Sequence, residues 1–200
     1  MRYKLLHHYG FNEAINGARL SYGRTSFDNF ESPEEDKVRL SNQLACMDGG
    51  HNGFLEFIQY WILIQAPLRW WKQMDRYRHL SQISESTMHL SWKGGLIPSD
   101  FEKPELIYPE TLKQLNNDVH AFCNCTPEEK DKKKELEDTI TLNLPDGYLQ
   151  TRLVCANAKC LRNIYFQRRN HKLKEWREFC EWIRIIPHGN LITAERNKNV

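Results

Sequence analysis

The chain has 200 residues, 40% hydrophobic and 12% aromatic, with no low-complexity linker, so it reads as a single domain spanning residues 1–200 with one sizeable core. Its 28 Lys and Arg stand against 26 Asp and Glu, a net charge of +2, which excludes a broad nucleic-acid footprint or a basic membrane-binding face and leaves room for a local anion site only. The six Cys, at 46, 123, 125, 155, 160 and 180, form no Cys-x-x-Cys pair, so buried, reduced thiols and no metal centre are expected.

No apolar run after Met1 is long enough for a secretory signal, and a cytoplasmic protein is expected. Residues 3–9 read as a strand, and 12–20 as a helix turning Ala14, Ile15, Ala18 and Leu20 to a core. After a loop over 23–32, Pro33 opens a helix carrying Val38, Leu40, Leu44 and Met47 until Gly49-Gly50 stops it, leaving His51 in a turn. From Phe54 to Gln65 both alternate faces are apolar, which suits a strand buried on two sides and too short to cross a bilayer. Pro67 then opens a helix of Leu68, Trp70, Trp71 and Met74 whose polar members include Arg69, Lys72 and Gln73, ending in Arg76-Tyr77-Arg78 ahead of a polar, Ser-rich loop.

Residues 93–109 are loop-rich, and 110–122 read as a helix. Thr126, with Glu129 three residues on, is expected to cap a short, exposed, charged helix over 126–136. A strand follows at 149–155, then a helix over 157–168 with Leu161, Ile164 and Arg168 on one face and Lys159 and Asn163 on another. The last expected helix, over 172–185, uses Trp176, Phe179, Cys180 and Trp182 as core, and a polar tail runs from 187 to 200.

Arg76 and Arg78 beside Ser84 and Ser86 are the residue types that grip phosphate or another planar anion, because guanidinium offers a rigid fork of donors. The arrangement Arg76-Tyr77-Arg78, seven residues, then Ser86 resembles the signature of the flavin-dependent thymidylate synthases, the ThyX family. His51-Asn52-Gly53-Phe54-Leu55-Glu56, the helix from Pro67 to Gln73, and Ala18-Arg19-Leu20-Ser21 are similar to the family's other N-terminal segments. A second block, Leu144-Pro145, Asn157, Lys159, Asn163 and Arg168, keeps the family's spacing, so the resemblance covers most of the chain.

The resemblance implies an α+β fold, a central mixed sheet flanked by helices, and a homotetramer with sites at subunit interfaces. It implies methylene transfer from methylenetetrahydrofolate to C5 of a pyrimidine nucleotide, with reduced FAD as hydride donor and NADPH as the flavin's reductant. Arg168 and Ser86 stand as catalytic residues. His51, Gly53, Glu56, Arg76, Tyr77, Arg78, Asn157, Lys159 and Asn163 stand with the cofactor. Gln73, Arg76, Ser84, Ser86, Met88 and Arg168 stand with the substrate. No nucleophilic Cys is required, and none of the six lies in a basic or His-paired sequence context.

The departures fall mainly on the substrate side. Tyr77 replaces a His, Ser84 a Glu, Gly53 a hydroxyl residue and Met88 an Arg, while Thr139 and Thr141 stand where another Arg is expected. The nucleotide is therefore open among dUMP, UMP and dCMP. A catalytically silent flavin- or nucleotide-binding homologue is the alternative, and an RNA-binding module on residues 69–78 a third, against the expectation of no nucleic-acid and no membrane partner.

Overall fold

A computed structural model describes residues 1–47, 50–86 and 92–195. Met88, one of the substrate-side positions, lies outside the described residues. The chain starts as expected with strand β1 (Arg2–Tyr9), and Gly10, at φ +93°, turns it into helix α1 (Phe11–Leu20). A side chain at Gly10 would strike the Phe57 carbonyl oxygen, so glycine is required there. Helix α1 buries Ala14, Ile15 and Asn16, but Leu20, expected in the core, is 50% exposed at its end.

Helix α2 (Glu34–Ala45) begins after Pro33 as expected and ends at Cys46, ahead of the glycines. Its inner face is Lys37, Ser41, Leu44 and Ala45, and Val38 is exposed. A lysine holds that inner position because its ammonium meets Glu31 at 3.5 Å and Glu34 at 3.6 Å. His51 is not in a plain turn; it opens a 3-10 helix (His51–Glu56) entered through Gly50 at φ +95°.

Strand β2 (Gln59–Pro67) therefore starts later than expected, and it is buried on one face rather than two. Tyr60, Ile62, Ile64 and Ala66 are fully buried, while Trp61 is half-buried and Leu63 exposed. Helix α3 (Leu68–Met74) stops before the Arg-Tyr-Arg turn, and strand β3 (Leu80–Ser84) occupies what reads in sequence as loop.

Helix α4 (Pro109–Cys123) is as expected. Helix α5 (Lys130–Asn143) begins later than Thr126 and runs further; Glu129, not Thr126, is its N-cap, and the Glu129 carboxylate accepts from the Thr126 N–H at 2.9 Å. Strand β4 (Leu149–Asn157), helix α6 (Ala158–Arg168) and helix α7 (Lys174–Ile185) follow the expected order. The tail is not wholly polar: a short helix α8 (Gly189–Ile192) buries Leu191 and Ile192. Nor are all thiols buried, since only Cys160 and Cys180 are; Cys123 is exposed and the other three are half-buried.

The expected α+β class holds, and the sheet is more regular than the mixed one anticipated: its four strands are antiparallel in the order β1-β2-β4-β3. The described residues fall into two compact units. One comprises Met1–Arg2, Ile64–Arg76 and Ile83–Leu153; the other comprises Tyr3–Leu63, Tyr77–Gln82 and Val154–Val200. The first unit is built on Trp92, Leu96, Phe101, Leu115, Val119, Phe122, Ile140, Leu144 and Tyr148. In the second, Ile15, Leu55, Ile58, Leu161, Ile164, Trp176, Phe179 and Ile183 are fully buried. No helix among the described residues is long and apolar enough to cross a membrane.

Candidate active site

In the second unit, α6 ends at Arg168. Leu161 and Ile164 bury one side of the helix, and Arg168, one turn beyond Ile164, is carried to the edge of that buried side. Its Nε donates to the Tyr77 hydroxyl at 2.9 Å, and that hydroxyl donates to Gln167 Oε1 at 3.1 Å. The guanidinium carbon lies 4.7 Å from the centre of the Trp176 ring, a cation–π contact against a fully buried indole. Tyr77 itself meets Trp176 edge-on at 6.1 Å. Tyr77, which stands where the family resemblance has a His, is thus one of the residues that hold Arg168.

His171 closes the same corner, edge-on to Trp176. Burial, with Arg168, Lys172 and Arg177 nearby, lowers its pKa below the ordinary value. Its Nδ1 accepts from the Leu173 N–H at 3.2 Å, a bond only an unprotonated Nδ1 can make.

Two more candidate residues are tied down at the start of α6. Asn157 is its N-cap: the side-chain oxygen accepts from the Cys160 N–H at 2.7 Å, and the following Ala158 N–H donates to Ile58 O at 2.8 Å. Lys159 Nζ donates to Asn52 Oδ1, and Asn52, only 2% exposed, donates onward to Met47 O at 2.8 Å. His51 and Gly53 line an open cleft of about 940 Å3 walled by Ala14, Leu44, Phe30, Phe54 and Phe57. Glu56, Arg78 and Asn163 are exposed.

In the first unit, Gln73 is half-buried on the last turn of α3, and Arg76 is exposed in the turn that follows. Trp71 Nε1 donates to Gln150 O at 3.0 Å, and Arg152 lies over the Trp71 ring at 4.4 Å while its Nη1 reaches Asp75 at 2.7 Å. Arg152 thereby brings a held cation next in space to the residue that precedes Arg76. Ser84 ends β3 and Ser86 follows Glu85, which is fastened to β4: the Glu85 carbonyl oxygen accepts from Gln150 Nε2 at 2.8 Å. The Glu85 N–H donates to Thr151 O at 2.9 Å, and its carboxylate accepts from the Thr151 N–H at 3.0 Å. The basic face of α3 is also paired, Arg69 with Glu102 at 2.7 Å and Lys72 with Asp146 at 2.6 Å. Trp70 and Trp71 are buried, so the aromatic rings required by an RNA-stacking surface face inward.

Gln167, Trp176, Asn52, Arg152 and Glu85 were not singled out by sequence. Trp176 carried a signal as a core residue on the apolar stripe of α7, and Asn52 stood without a role inside the His51-to-Glu56 segment. Three of the thiols are disfavoured as thiolates: burial raises the pKa of Cys155, pushes Cys160 up to about 11, and is the main cause that takes Cys180 up to about 12.

A sequence model of the family described as thymidylate synthase complementing protein matches residues 4–186. Among solved structures, the fold is similar to the flavin-dependent thymidylate synthase ThyX of Helicobacter pylori complexed with FAD and dUMP. That likeness has 17% identity and a TM-score of 0.69, over 96% of this chain and 98% of that one. A second crystal structure of the Helicobacter pylori enzyme with the same two ligands gives 18% identity, a TM-score of 0.69 and coverage of 96% and 98%. The UMP/dUMP methylase PolB from Streptomyces cacaoi, bound with 5-Br dUMP, is similar at 13% identity and a TM-score of 0.63, over 91% of this chain and 87% of that one. No curated protein matches the chain by sequence. At such identities the structural likeness is one of fold.

Proposed function

Since the chain belongs to the thymidylate synthase complementing protein family, the ThyX enzymes, we propose that it methylates C5 of a pyrimidine nucleotide, with methylenetetrahydrofolate as carbon donor and FAD, reduced by NADPH, as cofactor. The structural relatives bind FAD with dUMP, or act on UMP and dUMP, which supports a uracil nucleotide first and dCMP after it. The observation that carries the reading is the clamp on Arg168 by Tyr77 and Trp176. A fixed cation beside a pyrimidine ring favours the N3-ionised form and so raises the nucleophilicity of C5.

The residues fit the cofactor. A cleft of about 940 Å3 with Phe30, Phe54 and Phe57 on its walls and His51 and Gly53 at its edge suits a flat heterocycle. Arg76 and Arg78 bind the cofactor's phosphates; Asn157, Lys159 and Asn163 hold the rest, with Tyr77 beside them, and Glu56 lines the folate side. When bound, the flavin supplies the hydride that completes the methyl group. Gln73, Ser84 and Ser86 lie along the nucleotide, and Arg152 supplies part of the positive charge that Thr139 and Thr141 lack. Leu6, Tyr9, Phe57 and Leu63 are exposed in the second unit, which supports a homotetramer that covers them.

The test is a panel of dUMP, UMP, dCMP and CMP, each with methylenetetrahydrofolate and reduced flavin, read by mass for one added methyl or hydroxymethyl group. A methylated uracil nucleotide is expected. Flavin uptake without product from any nucleotide would instead establish a silent homologue.

A further inference from the structure

The cleft beside His51 shares one wall, Tyr22, with a second and smaller one of about 400 Å3. This second cleft is lined by Arg19, Arg24 and Arg39 with Tyr22, Leu40 and Gln43, and among its described lining residues Asp36 is the single carboxylate. Arg19 lies in the segment Ala18-Arg19-Leu20-Ser21 that resembles the family, but the proposed function gives none of the three arginines a role. They are brought together by local folding: the Arg19 carbonyl accepts from the N–H groups of both Tyr22, at 3.0 Å, and Arg24, at 3.2 Å. Gly23, at φ +61°, allows that reversal, and the Thr25 hydroxyl pins it by donating to Asn16 O at 2.8 Å. Asp36, on the first turn of α2, meets Arg19 at 3.2 Å and Arg39 at 2.8 Å.

Three guanidiniums around one carboxylate leave a local excess of two positive charges on a chain whose net charge is +2 overall. Asp36 is shared, so it neutralises neither arginine fully, and the three like charges repel one another unless an anion joins them. Arg19 sits deepest, its side chain 11% exposed. Its Nε is buried and has no hydrogen-bond partner among the described residues, a donor left over in a side chain whose fork suits planar oxyanions. Arg24 and Arg39 are exposed at the rim.

We infer that Arg19, Arg24 and Arg39 form an oxyanion subsite, which takes the phosphate or carboxylate tail of a ligand other than the flavin, whose own phosphates are assigned to Arg76 and Arg78; the flat body of that ligand reaches the adjoining cleft past Tyr22. The chemistry is common to a pyrophosphate linkage and to a chain of glutamate carboxylates. The subsite is a property of this corner of the second unit and does not depend on which nucleotide is methylated or whether any is.

The experiment titrates the full-length protein with inorganic pyrophosphate and, separately, with a triglutamate peptide, by calorimetry at low and at raised salt. Arg24→Ala and Arg39→Ala are tested alongside Arg184→Ala, an exposed arginine elsewhere. Binding of one probe should weaken roughly tenfold in each rim variant and with added salt, and remain unchanged in Arg184→Ala. The probe that binds more tightly identifies the tail. Arg24 and Arg39 lie at the surface, so thermal melting of both variants should match the parent and exclude misfolding as the cause. Binding of neither probe, or binding that Arg24→Ala and Arg39→Ala leave intact, would overturn the inference.

Discussion

The two stretches that carry the family's motifs hold their cations in different ways. At the end of α6, Arg168 is half-buried against Trp176 and hydrogen-bonded through Tyr77 to Gln167. In the turn after α3, Arg76 and Arg78 are exposed, and the neighbouring carboxylate, Asp75, is engaged by Arg152 instead. A free Arg side chain carries roughly 2 kcal/mol of rotamer entropy. Arg168 has already given up part of that on folding, whereas Arg76 and Arg78 must lose it when a ligand arrives. Held cations suit a step that needs charge in a fixed direction, and loose ones suit capture of a large, flexible cofactor.

Trp176→Ala should have the largest effect, because it deletes a fully buried indole as well as the surface under Arg168. A loss of about 3 to 5 kcal/mol in denaturant unfolding is expected. A loss under about 1 kcal/mol would mean that the corner repacks and Trp176 is no support.

Arg168→Ala should lower methyl transfer by roughly 10²- to 10³-fold, the usual consequence of removing one preorganised charge-stabilising donor. Arg168→Lys should rescue little of it, since an ammonium lacks the planar fork. Arg76→Ala or Arg78→Ala should instead weaken flavin binding by about ten- to a hundredfold while melting stays unchanged. Fluorescence titration and turnover at saturating flavin separate the two classes. If all three variants lose affinity and turnover in the same proportion, the contrast between held and loose cations is wrong.

Tyr77→Phe sharpens the comparison by removing one hydroxyl. Arg168 keeps its place over Trp176 but loses the oxygen that accepts its Nε–H, and turnover should fall roughly tenfold, more than flavin affinity does. Tyr77→His should retain more turnover than Tyr77→Phe if acceptance of that hydrogen bond is the role.

The smallest effect expected is on stability against pH. His188 adopts the left-handed region at φ +59°, stacks on Phe11 at 4.1 Å and faces His8 edge-on at 5.7 Å. Burial first, and His8 second, hold its pKa below the ordinary 6.5, while Glu34 pulls the other way. Its protonation is therefore resisted more by the folded than by the unfolded chain. The stability it contributes is complete above 6.5 and is lost as pH falls from there through the lower folded value. His188→Asn tolerates the same backbone and should flatten the loss that sets in as pH falls below about 6.5; a parallel loss in both proteins would assign the dependence elsewhere, His171 included.

How far these regions could be read from sequence depended on where the information lay. The helix after Pro67, strand β4, the helix that follows it and α7 were legible because proline and apolar periodicity are local signals, although Asn157 proved to be the cap of its helix and not a member of it. Strand β3 was not legible, since Leu80-Ser81-Gln82-Ile83-Ser84 has only two apolar residues and its order comes from pairing with β4. Phe54 and Leu55 read as strand because a short apolar run has no unique period; Gly50 at positive φ instead starts a turn of helix there. Lys37 lies on the inner face of α2 while Val38 is exposed, because two glutamates lie within reach of the ammonium, a fact about residues 31 and 34 together. In the site, the identities of Arg168 and Tyr77 were visible, but their hydrogen bond spans 91 positions along the chain, and no local pattern encodes it.

The match to the family's sequence model ends at residue 186, yet the structure continues to depend on what comes after. The Tyr60 hydroxyl donates to Pro187 O at 2.9 Å, and the buried Arg162 guanidinium donates to Leu191 O at 3.3 Å and Ile192 O at 3.1 Å. Cutting the polypeptide where the resemblance stops would take two acceptors from an interior cation and one from an interior phenol, and buried donors stripped of acceptors are costly. Any trimming or tagging of this end should therefore leave the chain intact through Ile192, a boundary drawn by three carbonyl oxygens and not by kinship.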